Sequence, residues 1–260
     1  MAKRNRKRAR PRLAAGRAIE FAFPKLPRTL YARHTGEKIP PTMAVHLPRD
    51  YTARKRFPLV VYLDGGRGAP GNAKGLAKVK KLTAGRGFIG ASLPLFKKEL
   101  DPEEVHGGLL IAAHDDYPMM ARAYRVMLNR LVRAIPNIDF DRSAFGGFSN
   151  GAHTTGILLS ALHPTVLRCF RHFYLVEGGR GIASFHKTAL REKNFLFMVG
   201  ARRGDASRRA WLRAIENTYV SARERGLNAT FRRMKGVRHG FPAEQMPVVR
   251  EWIVRMNAKA

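Results

Sequence analysis

The sequence predicts an α/β fold with a mostly parallel central sheet and helices on both faces. Three observations carry that prediction. The apolar runs Leu59–Leu63, Phe173–Val176 and Asn194–Val199 have the length, and the branched or aromatic content, of strands buried on both sides. Between such runs lie segments with apolar residues at helical spacing, such as Met120, Tyr124, Met127, Leu128, Leu131 and Ile135. The runs also end in glycine-rich or charged loops: Asp64-Gly65-Gly66, Glu177-Gly178-Gly179, and Gly200 to Asp205. Strands alternating with helices argue for parallel pairing. Right-handed crossovers then bring the C-terminal ends of the strands to one edge of the sheet.

Residues 1–17 read as a basic tail and residues 18–260 as one folded domain. The first twelve residues hold seven positive charges and no acid. That composition suits a solvated tail or an arm that touches polyanions. Ala18–Phe23 and Thr42–Leu47 are opening strands, the second stopped by Pro48. Residues 69–107 mix charge with Gly, Lys and Pro, and are expected to hold helices and a long loop over the site. Leu109–Ala113 reads as another buried strand, and Asp116 as the N-cap of the helix that Pro136 stops. Ile138 to Arg142 leads into a strand from Ser143 to Gly146, and an apolar helix then runs to Leu162. Trp211, Leu212, Ile215, Tyr219 and Ala222 form a helical stripe with Gly226 where a C-cap belongs. Ala229–Met234 is the last strand candidate, and residues 243–256 the closing helix.

Composition bounds the function. At 260 residues and 45% hydrophobic content the chain can bury a sizeable core. No apolar run approaches the length of a membrane span, and no signal peptide is recognisable, so a cytoplasmic location is expected. The single cysteine, Cys169, excludes an intramolecular disulfide. The formal charge of +30 is dispersed along the chain and favours acidic substrates or non-specific polyanion contact. No phosphate-binding loop and no metal-ligand set is present. His114 with Asp115 and Asp116 falls short of one, so neither a cofactor nor a metal is expected.

The chemistry concentrates at Gly147-Phe148-Ser149-Asn150-Gly151. A strand, a sharp turn and a helix meet there in the G-x-S-x-G pattern, which projects a serine hydroxyl above a parallel sheet. The residues two before and two after the serine crowd the backbone, so glycine suits both. A serine hydroxyl needs an imidazole to take its proton and a carboxylate to orient that imidazole. His239, after the last strand and before the last helix, is the candidate base. Asp205, in the loop after the penultimate strand, is the preferred acid, with the N-cap of the helix that follows as its structural alternative. Glu177, after the preceding strand, is the alternative. The N–H groups of Asn150 and Gly66 are the candidate oxyanion donors. His106-Gly107-Gly108 reads as a turn before a strand, and His153 as a satisfied histidine.

On Val60–Gly66, Gly147–Ala152, Gly200–Asp205 and His239–Phe241, the chain resembles the α/β-hydrolase family over roughly residues 40 to 257. It looks most like the esterase branch that includes feruloyl esterases, esterase D-like enzymes and polyhydroxybutyrate depolymerase-like proteins. The resemblance implies hydrolysis of carboxylic esters through an acyl-serine, with Ser149, His239 and Asp205 in the catalytic roles. Many relatives carry His-Gly where this chain has Asp64-Gly65, and the Arg202-Arg203 pair is not typical of them. Two other readings stay open: another activity on this scaffold (thioesterase, peptidase or lactone hydrolase), and a non-catalytic, polyanion-binding protein.

Overall fold

Eight strands pair in the order β1-β2-β4-β3-β5-β6-β7-β8 in the computed structural model, which describes residues 13–27, 30, 40–65, 73–96, 117–179, 186–202 and 204–259. The strands are β1 (Ala18–Ala22), β2 (Thr42–His46), β3 (Phe57–Leu63), β4 (Ile89–Leu93), β5 (Ile138–Phe148), β6 (His172–Val176), β7 (Asn194–Gly200) and β8 (Asn228–Met234). β1–β2 and β2–β4 are antiparallel, and every pair from β4 to β8 is parallel. The helices are α1 (Ala73–Thr83), α2 (Tyr117–Ala134), α3 (Asn150–Ser160), α4 (Pro164–Cys169), α5 (Lys187–Leu190), α6 (Ala206–Glu224) and α7 (Met246–Asn257). The basic residues 1–12, Gly66, His106–Gly108, the candidate strand Leu109–Ala113, His114–Asp116 and Arg203 lie outside the described residues.

Alternation along the strands explains the layers. In β3, Leu59, Val61 and Leu63 face a core shared with α2, α3, α4 and α6, while Val60 and Tyr62 face a second core shared with α1 and α7. All seven residues of β3 are buried, as are all seven of β7, so both read as unbroken apolar runs. β3 is flanked by β4 on one side and β5 on the other, so the winding of the sheet reverses there. The crevice beyond the carboxyl ends at such a reversal is where open α/β sheets keep their sites.

Two elements differ from the sequence expectation. Residues 69–107 were expected to hold helices and a loop, yet Ile89-Gly90-Ala91-Ser92-Leu93 is a fully buried strand. Its small residues hide the strand pattern, and packing accounts for one of them. A Cβ at Gly90 would sit 3.1 Å from a Val79 methyl group, so glycine lets α1 lie close on the sheet. Ile138–Phe148 is one strand and not a lead-in followed by a strand. Its register against β3 shifts between Pro58 and Val60. Ser143 bridges the irregularity, its hydroxyl accepting from Leu59 N at 2.8 Å and donating to Asp139 O at 2.6 Å. Cys169 is a buried free thiol.

His172, at the start of β6, is fully buried and held as a neutral ring. Nδ1 accepts from the Asn194 amide at 3.0 Å and Nε2 donates to Asn257 Oδ1 at 2.8 Å. Burial first, and then the Arg171 and Lys193 charges, push its pKa down to about 4 against the opposing Asn257 bond. In the unfolded chain the ring takes up its proton near pH 6.5, so from there down to about pH 4 the unfolded state binds the extra proton. Stability therefore falls as pH falls through that window. His172→Gln is expected to shrink the difference in unfolding free energy between pH 7 and pH 5 by about 2 kcal/mol, read by guanidinium titration at each pH. An unchanged difference would show that His172 is not the group responsible.

Candidate active site

Ser149 sits between β5 and α3 with φ +52° and ψ −114°, a left-handed backbone that a non-glycine residue adopts only under constraint. The constraint comes from the sheet: Ser149 N donates to Val176 O at 2.8 Å, extending the β5–β6 ladder past the end of the strand. Crowding explains the two glycines. A Cβ at Gly147 would lie 2.3 Å from the carbonyl oxygen of Leu63, and one at Gly151 would lie 2.1 Å from the same atom. Neither the carbonyl nor its strand can yield cheaply. Gly151→Ala is expected to destabilise the fold by about 3 kcal/mol or more, read as a lowered urea midpoint at unchanged m-value. A wild-type midpoint would contradict the close approach.

His239 reaches this turn from the loop after β8. Its Nε2 lies 3.2 Å from Ser149 Oγ, and its Nδ1 lies 3.4 Å from Glu177 Oε2. The ring is held between aromatic neighbours, with Phe148 at 5.2 Å and Trp211 at 5.8 Å between centroids. A carboxylate on Nδ1 keeps that nitrogen protonated and leaves the lone pair of Nε2 facing the hydroxyl. Such an imidazole can accept the serine proton.

Glu177 follows β6 directly, with φ +56°, so two neighbouring strand ends carry strained backbone. Its N–H donates to Met198 O at 2.8 Å, and its side chain is fully buried. Burial alone would push its carboxyl up. The bonds from His239, Arg208 and the Gly200 N–H outweigh that and hold it below the usual carboxylate range. Arg208 grips both oxygens, Nη1 to Oε2 at 2.8 Å and Nη2 to Oε1 at 2.9 Å.

Asp205, the acid preferred from the sequence, is engaged elsewhere. It is the N-cap of α6, its Oδ1 accepting from Arg208 N at 2.8 Å, while Oδ2 faces Arg238 at 3.4 Å. Its side chain is 62% exposed, whereas the carboxylate at Nδ1 of His239 has no exposure. The geometry therefore brings Ser149, His239 and Glu177 into line and assigns Asp205 the capping position. A β-strand and helix order cannot separate the two acids, because both follow strands at the same edge.

Of the two expected oxyanion donors, Asn150 is the first residue of α3, next to Ser149. Gly66 lies outside the described residues, and the turn before it is held by Asp64. Asp64 Oδ1 accepts from Gly65 N at 2.8 Å, Tyr62 Oη at 2.9 Å and Lys78 Nζ at 2.6 Å. The Gly65 N–H is thus committed to Asp64. Gly65 abuts the serine, since a Cβ there would sit 3.1 Å from Ser149 Cβ and closer still to the Phe148 ring. His153 is half-buried and satisfied: Nδ1 accepts from Gly179 N at 3.2 Å, and the ring stands edge-on to Trp211 at 5.3 Å.

Sequence reasoning missed Arg208 and Trp211 as parts of the site. Arg208 did leave a trace, a cation in the first turn of a helix, where the macrodipole disfavours it. Trp211 read only as part of the apolar stripe of α6. Among the described residues there is no group of three or more His, Cys, Asp or Glu that could hold a metal ion. No helix of theirs is long and apolar enough to cross a membrane.

No protein-family model matches the sequence, and no curated protein matches it. Solved structures do. A hyperthermophilic esterase from the archaeon Pyrobaculum calidifontis superposes with a TM-score of 0.59 at 16% identity, covering 95% of this chain and 87% of that one. An esterase from the fungus Rhizomucor miehei gives 0.60 at 12% identity, covering 95% and 85%. The feruloyl esterase module of Clostridium thermocellum, solved with sinapinate, gives 0.56 at 14%, covering 92% and 87%. Identities this low speak for the shared architecture alone. The chain has the α/β-hydrolase fold, of the form that these esterases carry.

Proposed function

We propose that the protein is a serine hydrolase that cleaves carboxylic esters through an acyl-serine intermediate, with Ser149 as nucleophile, His239 as base and Glu177 as the acid that orients it. The observation that carries the reading is the unbroken sequence of contacts from Ser149 Oγ to His239 Nε2 at 3.2 Å, and from His239 Nδ1 to Glu177 Oε2 at 3.4 Å. The strained serine backbone at a sheet edge and the esterases among the similar structures support it.

In this mechanism Ser149 Oγ forms a bond to the acyl carbon as His239 Nε2 takes the hydroxyl proton. The carbonyl π electrons move to oxygen, and the N–H groups of Asn150 and Gly66 stabilise the oxyanion. Collapse expels the alcohol, which leaves with the proton from His239. Water then repeats the sequence on the acyl-serine, with His239 again as base. Phe148 and Trp211 beside the imidazole are flat apolar walls suited to small or aryl esters. Thioesterase, lactone hydrolase and peptidase activity share the first half of this chemistry and differ in the leaving group, so a substrate panel at one pH separates them.

A fluorophosphonate probe tests the reading directly. One equivalent is expected to attach at Ser149 in the folded protein, with p-nitrophenyl acetate turnover lost in parallel. Folded protein that stays unlabelled and hydrolyses no ester in the panel would overturn it.

A further inference from the structure

Arg208 is nearly fully buried at 7% exposure, yet it stands in the first turn of α6, the end of a helix that repels cations. Its Nε–H has no acceptor among the described residues. A charged group in so unfavourable a position is held by what it touches, and both its terminal nitrogens go to Glu177. Nη2 donates also to Gly200 O at 2.8 Å, while Gly200 N donates to Glu177 Oε1. Carboxylate, guanidinium and the backbone N–H and C=O of Gly200 thus form a closed ring of bonds. That ring leaves Oε2 facing His239 and prevents the carboxylate from rotating. Space at the ring is tight, for a Cβ at Gly200 would lie 2.8 Å from Glu177 Oε1 and 2.4 Å from Val237 O. Asp205 contributes by capping α6, its Oδ1 accepting from the N–H of Arg208 itself.

We infer that Arg208 is a positioning residue for the ester hydrolysis proposed above, one that keeps Glu177 ionised and aimed at His239 and so sets the pH at which the site becomes active. The inference rests on that reading of the site. Before reaction the guanidinium and the carboxylate cancel, so the buried cluster is neutral. When the imidazole takes the serine proton, the cluster becomes +1 and not 0. The arginine therefore tempers the pull of Glu177 on that proton. Among the described residues, the other charged and titratable groups around the cluster are Asp205 at the N-cap of α6, Arg202 after β7, Arg238 beside His239, and His153 of α3. Lys78 and Asp64 stand beyond Phe148, Lys78 Nζ lying 5.9 Å from that ring. Arg238 lies 3.4 Å from Asp205 and Lys78 2.6 Å from Asp64, so Arg208 is the cation in direct contact with Glu177.

Loss of the arginine moves the acid limb upward. A buried carboxylate without its partner protonates at higher pH, and the imidazole then loses the charge that orients it. A merely structural salt bridge would lower the melting temperature and leave the limb where it was.

The test is the pH profile of kcat/KM for p-nitrophenyl acetate in wild type, Arg208→Met and Arg208→Lys, with melting temperatures recorded alongside. The acid limb is expected to rise by about one pH unit or more in Arg208→Met. It should rise by about half a unit in Arg208→Lys, which keeps one charge, loses the fork and serves as the assay if the methionine variant does not fold. Active variants whose acid limb coincides with that of wild type would overturn the role of Arg208 while leaving the hydrolase reading intact. A wild type that neither turns over ester nor takes a fluorophosphonate would overturn the hydrolase reading itself.

Discussion

Glu177→Gln is expected to lower kcat/KM for ester hydrolysis by about 10⁴-fold, the cost of removing the charge that fixes the imidazole tautomer and stabilises the imidazolium. It should also cost about 3 kcal/mol of stability, because the glutamine leaves Arg208 buried without a counter-charge. The two effects separate experimentally. Kinetics run well below the melting transition report the first, and a urea titration reports the second. Asp205→Asn is the paired control. Asparagine is as good an N-cap as aspartate, and the side chain is largely exposed, so kcat/KM is expected to stay within about a factor of three of wild type. The reverse outcome, a dead Asp205→Asn beside an active Glu177→Gln, would return the acid to the loop after β7 and undo the reading of the cluster around Arg208.

Ser149→Ala is expected to reduce kcat by about 10⁶-fold, to the level that binding and oxyanion donors sustain without a nucleophile. Its stability should stay within about 1 kcal/mol of wild type, since alanine occupies the same strained backbone and the hydroxyl lost is only half-buried. Ser149→Gly goes further. At φ +52° glycine carries no penalty, so this variant is expected to be inactive and more stable than Ser149→Ala by about 1 kcal/mol. A glycine more stable than alanine at this position would show that the turn holds backbone strain. Residual turnover of a few per cent in either variant would mean that the chemistry lies elsewhere.

Much of the architecture was legible because it follows from local patterns. Buried parallel strands need continuous apolar runs, and Leu59–Leu63, Phe173–Val176 and Asn194–Val199 each fall within an observed strand. Ile89–Leu93 escaped because glycine, alanine and serine fill its middle, and at Gly90 that choice is dictated by the helix lying against it. The site was legible in part. Gly147 and Gly151 betray a backbone turned tightly against a neighbouring strand, and the loop holding His239 was marked by its place before the last helix.

The proposed acid was not legible. In the chain, Asp205 and Glu177 are equivalent: each is a carboxylate just beyond an apolar strand, in a loop containing glycine. What distinguishes them is three-dimensional. One lies at an exposed helix N-terminus, and its oxygen goes to the first-turn N–H of Arg208. The other is enclosed by β7, α6 and the loop after β8, with a guanidinium and a peptide N–H to keep it charged.

By itself the sequence determined the α/β alternation, the edge at which the strands end, and the tight turn that presents Ser149. These depend on hydrophobic period and on the absence of side chains, both of which can be read one residue at a time. Only the tertiary structure decided that Glu177 and not Asp205 meets His239, and that Arg208 holds Glu177 in place. The reason is physical: burial and pairing of charge belong to residues distant in the chain, and no local pattern records which of them meet.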